Sequence, residues 1–198
     1  MKNEKRILNL GAGKFNPIDL KEYSPYFLVN VDPMYFDFVE TRVIESSERH
    51  WVKTQNEIFY SNDTAQTFME RTRIKFDHLV CYRFLEHISF TELEYFIYLM
   101  SNCLKIGGTC DIIVPNYETL CKMILEETKT RSFDTAKHIL MTTELLNEPS
   151  CPHASIWTPF RVHHFFELEG RFEVTDLCES FNFDGRDIYI RFSVKRIK

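Results

Sequence analysis

Arg6-Ile7-Leu8-Asn9-Leu10-Gly11-Ala12-Gly13, followed by Tyr26-Phe27-Leu28-Val29-Asn30-Val31-Asp32-Pro33, is the stretch whose reading decides the fold. Each half is a short apolar run cut off abruptly, the first by small residues and the second by an acid and a proline. A strand that is apolar on both faces belongs in a parallel sheet covered on both sides. The small residues after the first run let the backbone approach a ligand closely. An acid about 20 positions further on can accept hydrogen bonds from ribose hydroxyls.

Three more runs of this kind follow. They are Glu57-Ile58-Phe59-Tyr60 before Ser61-Asn62-Asp63, Phe76-Asp77-His78-Leu79-Val80-Cys81, and Thr109-Cys110-Asp111-Ile112-Ile113-Val114 before Pro115-Asn116. Helical periodicity lies between and after them. Ser89-Phe90-Thr91-Glu92 has capping-box spacing, and Leu93, Phe96, Ile97, Met100, Cys103 and Leu104 then recur on one helical face, with Gly107-Gly108 expected to end the helix. Tyr117, Leu120, Cys121, Ile124 and Leu125 form a second stripe. Thr158-Pro159 reads as an N-cap with proline at the first helical position, with Val162, Phe165 and Phe166 inward and Gly170 at the exit. Two strand-like runs close the chain, Arg171 to Leu177 and Asp187 to Ile197, the latter with Ile188, Ile190, Phe192 and Val194 alternating with wetter positions.

The expectation is an α/β fold: a doubly wound, mostly parallel seven-stranded sheet of Rossmann-like form with an antiparallel C-terminal strand. One domain should span residues 1–198. Segment 126–157, which like 33–56 carries no clear pattern, would be an insertion or lid beside the site. Chain length and a hydrophobic share of 44% allow a sizeable core and exclude a wholly disordered chain. A net charge of −5 supplies no global field for polyanions, which disfavours nucleic acid as a partner. No apolar run approaches the roughly 18 residues of a membrane span, and the first residues carry no cleavable-signal pattern. Six cysteines, four of them in apolar segments and none in a Cys-x-x-Cys pair, fit reduced thiols in the cytoplasm and give no reason to expect a metal site.

In an open α/β sheet a ligand lies at the carboxyl ends of the strands, where Gly11, Asp32, Asp63, Tyr82 and Asn116 gather. A dinucleotide fingerprint would place a third glycine at position 16, which is Asn16, and no Gly-Lys-Ser/Thr phosphate loop is present. A nucleoside without phosphates fits better, and S-adenosylmethionine is the candidate.

Five motifs in order then carry a resemblance: Ile7-Leu8-Asn9-Leu10-Gly11-Ala12-Gly13, Leu28-Val29-Asn30-Val31-Asp32, Phe84-Leu85-Glu86-His87-Ile88, Leu104-Lys105-Ile106-Gly107-Gly108-Thr109 and Ile113-Val114-Pro115-Asn116. The series resembles the class I S-adenosylmethionine-dependent methyltransferases, nearest the small type 11-like branch, over about residues 5–125. The resemblance implies that Asn9, Gly11, Ala12 and Gly13 face the methionine part of the cofactor and that Asp32 binds the ribose diol. Pro33 and Met34 would flank the adenine, Asp63 (or Asn62) would meet its amino group, and Tyr82 and Arg83 would line the sulfonium end. Asn9 stands where the family has an acid, and Phe15 where it has a third glycine.

Methyl transfer chiefly requires donor and acceptor to be held together, with a base only if the acceptor must lose a proton. His87, His153 and Tyr117 are the candidates on the acceptor side, His87 with a capping role as its competing use. Asn116 suits an amide near the acceptor and a helix cap equally well, and the His163-His164 pair among phenylalanines suits packing. Compact size and acidic charge favour a small-molecule or sugar-like acceptor. The competing readings are a non-catalytic binding or assembly module of the same fold and, further off, an NAD-dependent oxidoreductase. The sequence does not determine oligomeric state.

Overall fold

The computed structural model describes residues 5–12, 26–33, 51–53, 58–61, 63–130, 153–168, 170–183 and 186–198. Eight strands form one sheet: β1 Lys5–Leu10, β2 Tyr26–Val31, β3 Trp51–Lys53, β4 Ile58–Ser61, β5 Phe76–Tyr82, β6 Leu104–Pro115, β7 Phe172–Phe183 and β8 Arg186–Arg196, in the order β3-β4-β2-β1-β5-β6-β8-β7. The five central strands, β4, β2, β1, β5 and β6, run parallel. At one edge β8 pairs antiparallel with β6 and β7 with β8. The strand beyond the expected seven is β3, a short antiparallel edge strand inside the segment that carries no sequence pattern.

The apolar runs behave as doubly covered strands should. Ile7, Leu8, Leu10, Leu28, Val29, Val31, Leu79, Val80, Cys81, Ile112, Ile113 and Val114 are all buried. Successive strand residues face opposite sides, so Ile112 and Val114 join the main core while Ile113 packs with Leu120, Ile188 and Tyr189 on the other face. Three of the helices, α1 Ala65–Arg71, α2 Phe90–Cys103 and α4 Pro159–Glu167, add buried residues to the main core, and α3 Tyr117–Thr130 covers the second face. Much of the phenylalanine content is spent here. Phe166 sits edge-on to Phe192 (5.4 Å) and Phe172 (5.8 Å), while Trp157, fully buried, donates its indole N–H to Ser155 Oγ at 3.1 Å.

Several local expectations change. Helix α1, not among the helices expected from the sequence, is set by Thr64, whose side chain accepts from Thr67 N–H. The Ser89 hydroxyl donates to the Glu92 carboxylate at 2.5 Å and makes no bond to a cap N–H, so the box closes through side chains alone. Gly107 and Gly108 do not end α2, which stops at Cys103. They lie within β6, where pairing jumps from Phe76–Leu104 to His78–Thr109, and Gly107, at φ +79°, allows that irregularity. The stripe on α3 is buried only in its first turn: Tyr117 and Leu120 are inside, but Cys121 and Leu125 are exposed. The cap, proline and inward residues expected of α4 are all found, with Phe165 half-buried.

A polar seam crosses the sheet beside this core. His78, on β5, is buried, with Nδ1 hydrogen-bonded to Thr109 Oγ1 at 2.8 Å and Nε2 3.5 Å from Asp111 Oδ2, while Ser193 on β8 donates to Asp111 Oδ1 at 2.6 Å. Burial lowers the His78 pKa, the Asp111 charge opposes that shift, and Lys5 adds to it. A lowered folded-state pKa means that the unfolded chain takes up the proton first, below about 6.5. The contribution of this histidine is therefore complete above that value and is lost on acidification. The urea midpoint of the wild type should fall between about pH 7 and about pH 5, with a component of that fall missing in His78→Gln. Equal falls in both proteins would show that the seam does not titrate.

Candidate functional site

The ends of β1, β2 and β4 are stitched into one lip. Val31 C=O accepts from both Gly11 N–H (3.0 Å) and Ala12 N–H (3.3 Å), and Ser61 C=O accepts from Asp32 N–H (3.1 Å). Register does the positioning, since Leu10 pairs with Val31 and Val31 with Ser61. Asp32 is half-buried and Pro33 exposed at this lip. Asp63 follows at its side. Its carboxylate accepts from Ser61 Oγ at 3.2 Å and lies 3.7 Å from the Arg71 guanidinium. Asn9 sits one turn of the pleat below, buried, with its amide donating to Asn30 Oδ1 at 2.8 Å. Gly13, Phe15, Met34, Asn62 and residues 131–152 of the expected lid lie outside the described residues.

Gly11 adopts φ +66°, and a Cβ built on it would stand 2.4 Å from Phe84 Cδ2 and 3.0 Å from Phe84 Cβ. The absent side chain is thus required by a protein ring. Ala12 is buried beside it.

A second constellation forms where β5 and β6 end. After Tyr82 the chain turns at Arg83, the one non-glycine residue with positive φ (+52°) among the described residues, whose N–H donates to Ile113 C=O at 2.8 Å. A short 3₁₀ turn, Leu85–His87, follows. The segment entering α4 clasps this turn: Ala154 and Ser155 N–H both donate to Glu86 C=O (2.7 and 2.9 Å), and Ser155 Oγ donates to Leu85 C=O (2.9 Å). That clasp sets the His153 ring edge-on to His87 at 5.0 Å. Tyr117 N–H donates to Trp157 C=O at 3.0 Å, and the Tyr117 hydroxyl is hydrogen-bonded to His153 Nδ1 at 2.8 Å. Asn116 resolves as a cap: Oδ1 accepts from Glu118 and Thr119 N–H, and Nδ2 donates to Glu179 C=O.

His87, His153 and Tyr117, far apart in sequence, are therefore brought together. The residue that sequence reading passed over is Glu86. It is fully buried, and neither carboxylate oxygen has a hydrogen-bond partner among the described residues. The available signal was a lone acid inside Phe84-Leu85-Glu86-His87-Ile88, straight after a buried strand. Burial pushes its pKa up to about 8, a rise moderated by the nearby Arg83 charge. Burial likewise pushes Tyr117 up to about 12, with Glu86 adding to the rise. His153 is pushed down to about 4 by burial, with His87 and Arg83 contributing. A neutral imidazole beside a phenol can orient a polar acceptor, but it is a weak base. His163, bonded to Glu167, and His164, stacked on Phe160, face outward on α4. Cys81 is buried with its thiol pushed well up in pKa, which leaves no reactive nucleophile there.

No protein-family model and no curated protein sequence matches the chain. Solved structures do. The chain aligns over its full length with 94% of a SAM-dependent methyltransferase from Methanosarcina mazei, at TM-score 0.62 and 14% identity. It aligns over 98% with 87% of a SAM-dependent methyltransferase from Archaeoglobus fulgidus (TM-score 0.60, 14% identity). It also aligns over 98% with 72% of a 1,6-didemethyltoxoflavin N1-methyltransferase from Burkholderia thailandensis, solved with bound 1,6-didemethyltoxoflavin and S-adenosylhomocysteine (TM-score 0.59, 9% identity). At these identities the likeness is one of fold.

The contact between Gly11 and Phe84 is directly testable. Gly11→Ala should cost about 2–4 kcal/mol, combining the left-handed backbone with a clash against the ring. In a Phe84→Ala background the same change should cost only about 1–2 kcal/mol, the backbone part and the close contact with the Cβ that remains at position 84. Urea unfolding of the four proteins measures the coupling, and additive costs would refute it.

Proposed function

We propose that this chain, which has the fold of the class I S-adenosylmethionine-dependent methyltransferases, transfers a methyl group from S-adenosylmethionine to a small-molecule or sugar-like acceptor. The single observation that carries the reading is the lip: three parallel strands end flush, with half-buried Asp32 next to the positive-φ turn at Gly11. A nucleoside needs such a carboxylate for its two ribose hydroxyls. Gly11, Ala12 and Gly13 would then run along the methionine part, Asp32 would bind the diol, and Pro33 and Met34 would flank the base. Asp63, or Asn62 beside it, would meet the adenine amino group, and Tyr82 and Arg83 would approach the sulfur. When bound, the cofactor supplies an activated methyl group to an in-line nucleophile.

The protein's part is to hold and orient. Arg83 is pinned by its N–H bond to Ile113, and Tyr82 packs against the second core beneath it. Tyr117, His153 and His87 form the polar group at the ends of β5 and β6, and we assign them to the acceptor: Tyr117 and His153 to orient it, His87 to complete the wall. We place the protein in the cytoplasm, in keeping with the free cysteines among the described residues.

A second reading, a non-catalytic binding module of the same fold, is favoured by Asn9. A buried amide committed to Asn30 offers no negative charge to a cofactor ammonium. Calorimetric titration with S-adenosylmethionine separates the two. Wild type should bind, and Asp32→Ala should bind about 10- to 100-fold more weakly, the loss of charge-assisted hydrogen bonds. No binding by the wild type, or none lost on removing Asp32, would defeat the enzyme reading.

A further inference from the structure

The buried carboxyl of Glu86 has no hydrogen-bond partner among the described residues and no exposure to solvent. Such a group is costly and calls for a physical reason. A proton alone does not supply one, since a protonated acid still needs an acceptor for its O–H. The imidazoles of His87 and His153 lie beside it, and one donor atom from each of the three residues falls within 4.8 Å of the others. We infer that Glu86, His87 and His153 form a binding site for a divalent first-row transition metal, of the zinc(II), manganese(II) or iron(II) type. This inference does not depend on the methyl-transfer reading; with the ion bound, His87 and His153 would meet an acceptor through the ion and only Tyr117 directly.

The donor chemistry selects that class. Two imidazole nitrogens and one carboxylate suit these first-row ions, zinc(II) and iron(II) best, whereas calcium and magnesium prefer all-oxygen shells. Bonds of about 2.0–2.2 Å require the donors to close slightly on the ion. His87 and His153 are half-buried, while Glu86, fully buried, forms the floor of the site. Tyr117 completes it from outside. In the tautomer with its proton on Nδ1, His153 donates to the Tyr117 oxygen at 2.8 Å and leaves Nε2 bare for the ion. The backbone clasp of Ala154 and Ser155 on Glu86 C=O fixes the two contributing segments relative to each other. Three protein ligands leave coordination positions open, as in sites that also engage water or a substrate. Sequence spacing does not reveal the set, because its ligands come from two distant segments and none is a cysteine.

Chelator-stripped full-length protein should take up one equivalent of zinc(II) by competition titration, with a rise in melting temperature. Cobalt(II) should give visible bands without a thiolate charge-transfer band, which separates this site from exposed Cys121. Glu86→Gln, His87→Ala and His153→Ala should each weaken zinc binding by about 100-fold or more and Tyr117→Phe by about 10-fold, on the scale of ligand and supporting-residue changes. His163→Ala, which alters an exposed imidazole beside Glu167, should leave it unchanged. Zinc binding that survives Glu86→Gln in folded protein, a thiolate band with cobalt, or no binding by the wild type would each overturn the proposal. Because none of these measurements uses S-adenosylmethionine, their failure leaves the cofactor titration independent.

Discussion

The missing side chain of Gly11 is the constraint on which both halves of the site depend. Its positive φ lets two successive N–H groups reach the Val31 carbonyl, which joins the first two strand ends. The space beside it is filled by the ring of Phe84, the residue that opens the turn carrying Glu86 and His87. One position therefore sets the lip proposed for a nucleoside and anchors the turn below the polar cluster. A small residue near a ligand site is often explained by the ligand. Here the nearest atoms belong to the protein, and any service to a ligand comes through the shape that contact creates.

The two polar groupings differ in how they are stabilised. The seam of His78, Thr109, Asp111 and Ser193 is a closed set in which each buried group bonds a neighbour across strands. It behaves as a structural device that ties β5, β6 and β8 together. The cluster of Glu86, His87, Tyr117 and His153 is open by comparison, with a buried acid left over. Open polar sets inside a well-packed core are where function is usually found, because folding alone gives no reason to keep them.

Much of the fold was legible because its central strands are short, apolar and sharply punctuated. Two-sided burial leaves a plain mark, and Leu28 to Val31 carry it as clearly as Ile112 to Val114 do. The misses share a cause: they were decided by partners distant in sequence. Strand β3 has three residues and exists only by pairing with β4. The glycine pair at 107–108 looks like a helix stop, yet it serves an irregularity in pairing with β5. At the site, His87, His153 and Tyr117 could be nominated singly from their positions after strands or in a loop. Their convergence depends on the clasp of 154–155 over 85–86, and no local pattern encodes that. Glu86 was masked for the same reason, since an acid in a turn reads as solvated until a remote segment covers it.

That clasp also orders events in time. The hydrogen bond from Ser155 to Leu85 spans 70 positions, whereas the amide pair Asn9–Asn30 spans 21. Closing the longer loop costs more chain entropy and has little to gain until the sheet beneath it exists. The lip proposed for a nucleoside can thus form with the earliest strand pairing, while the histidine-rich group assembles only as the chain completes its collapse. A spectroscopic label on His153 would accordingly report the last step of folding rather than the first.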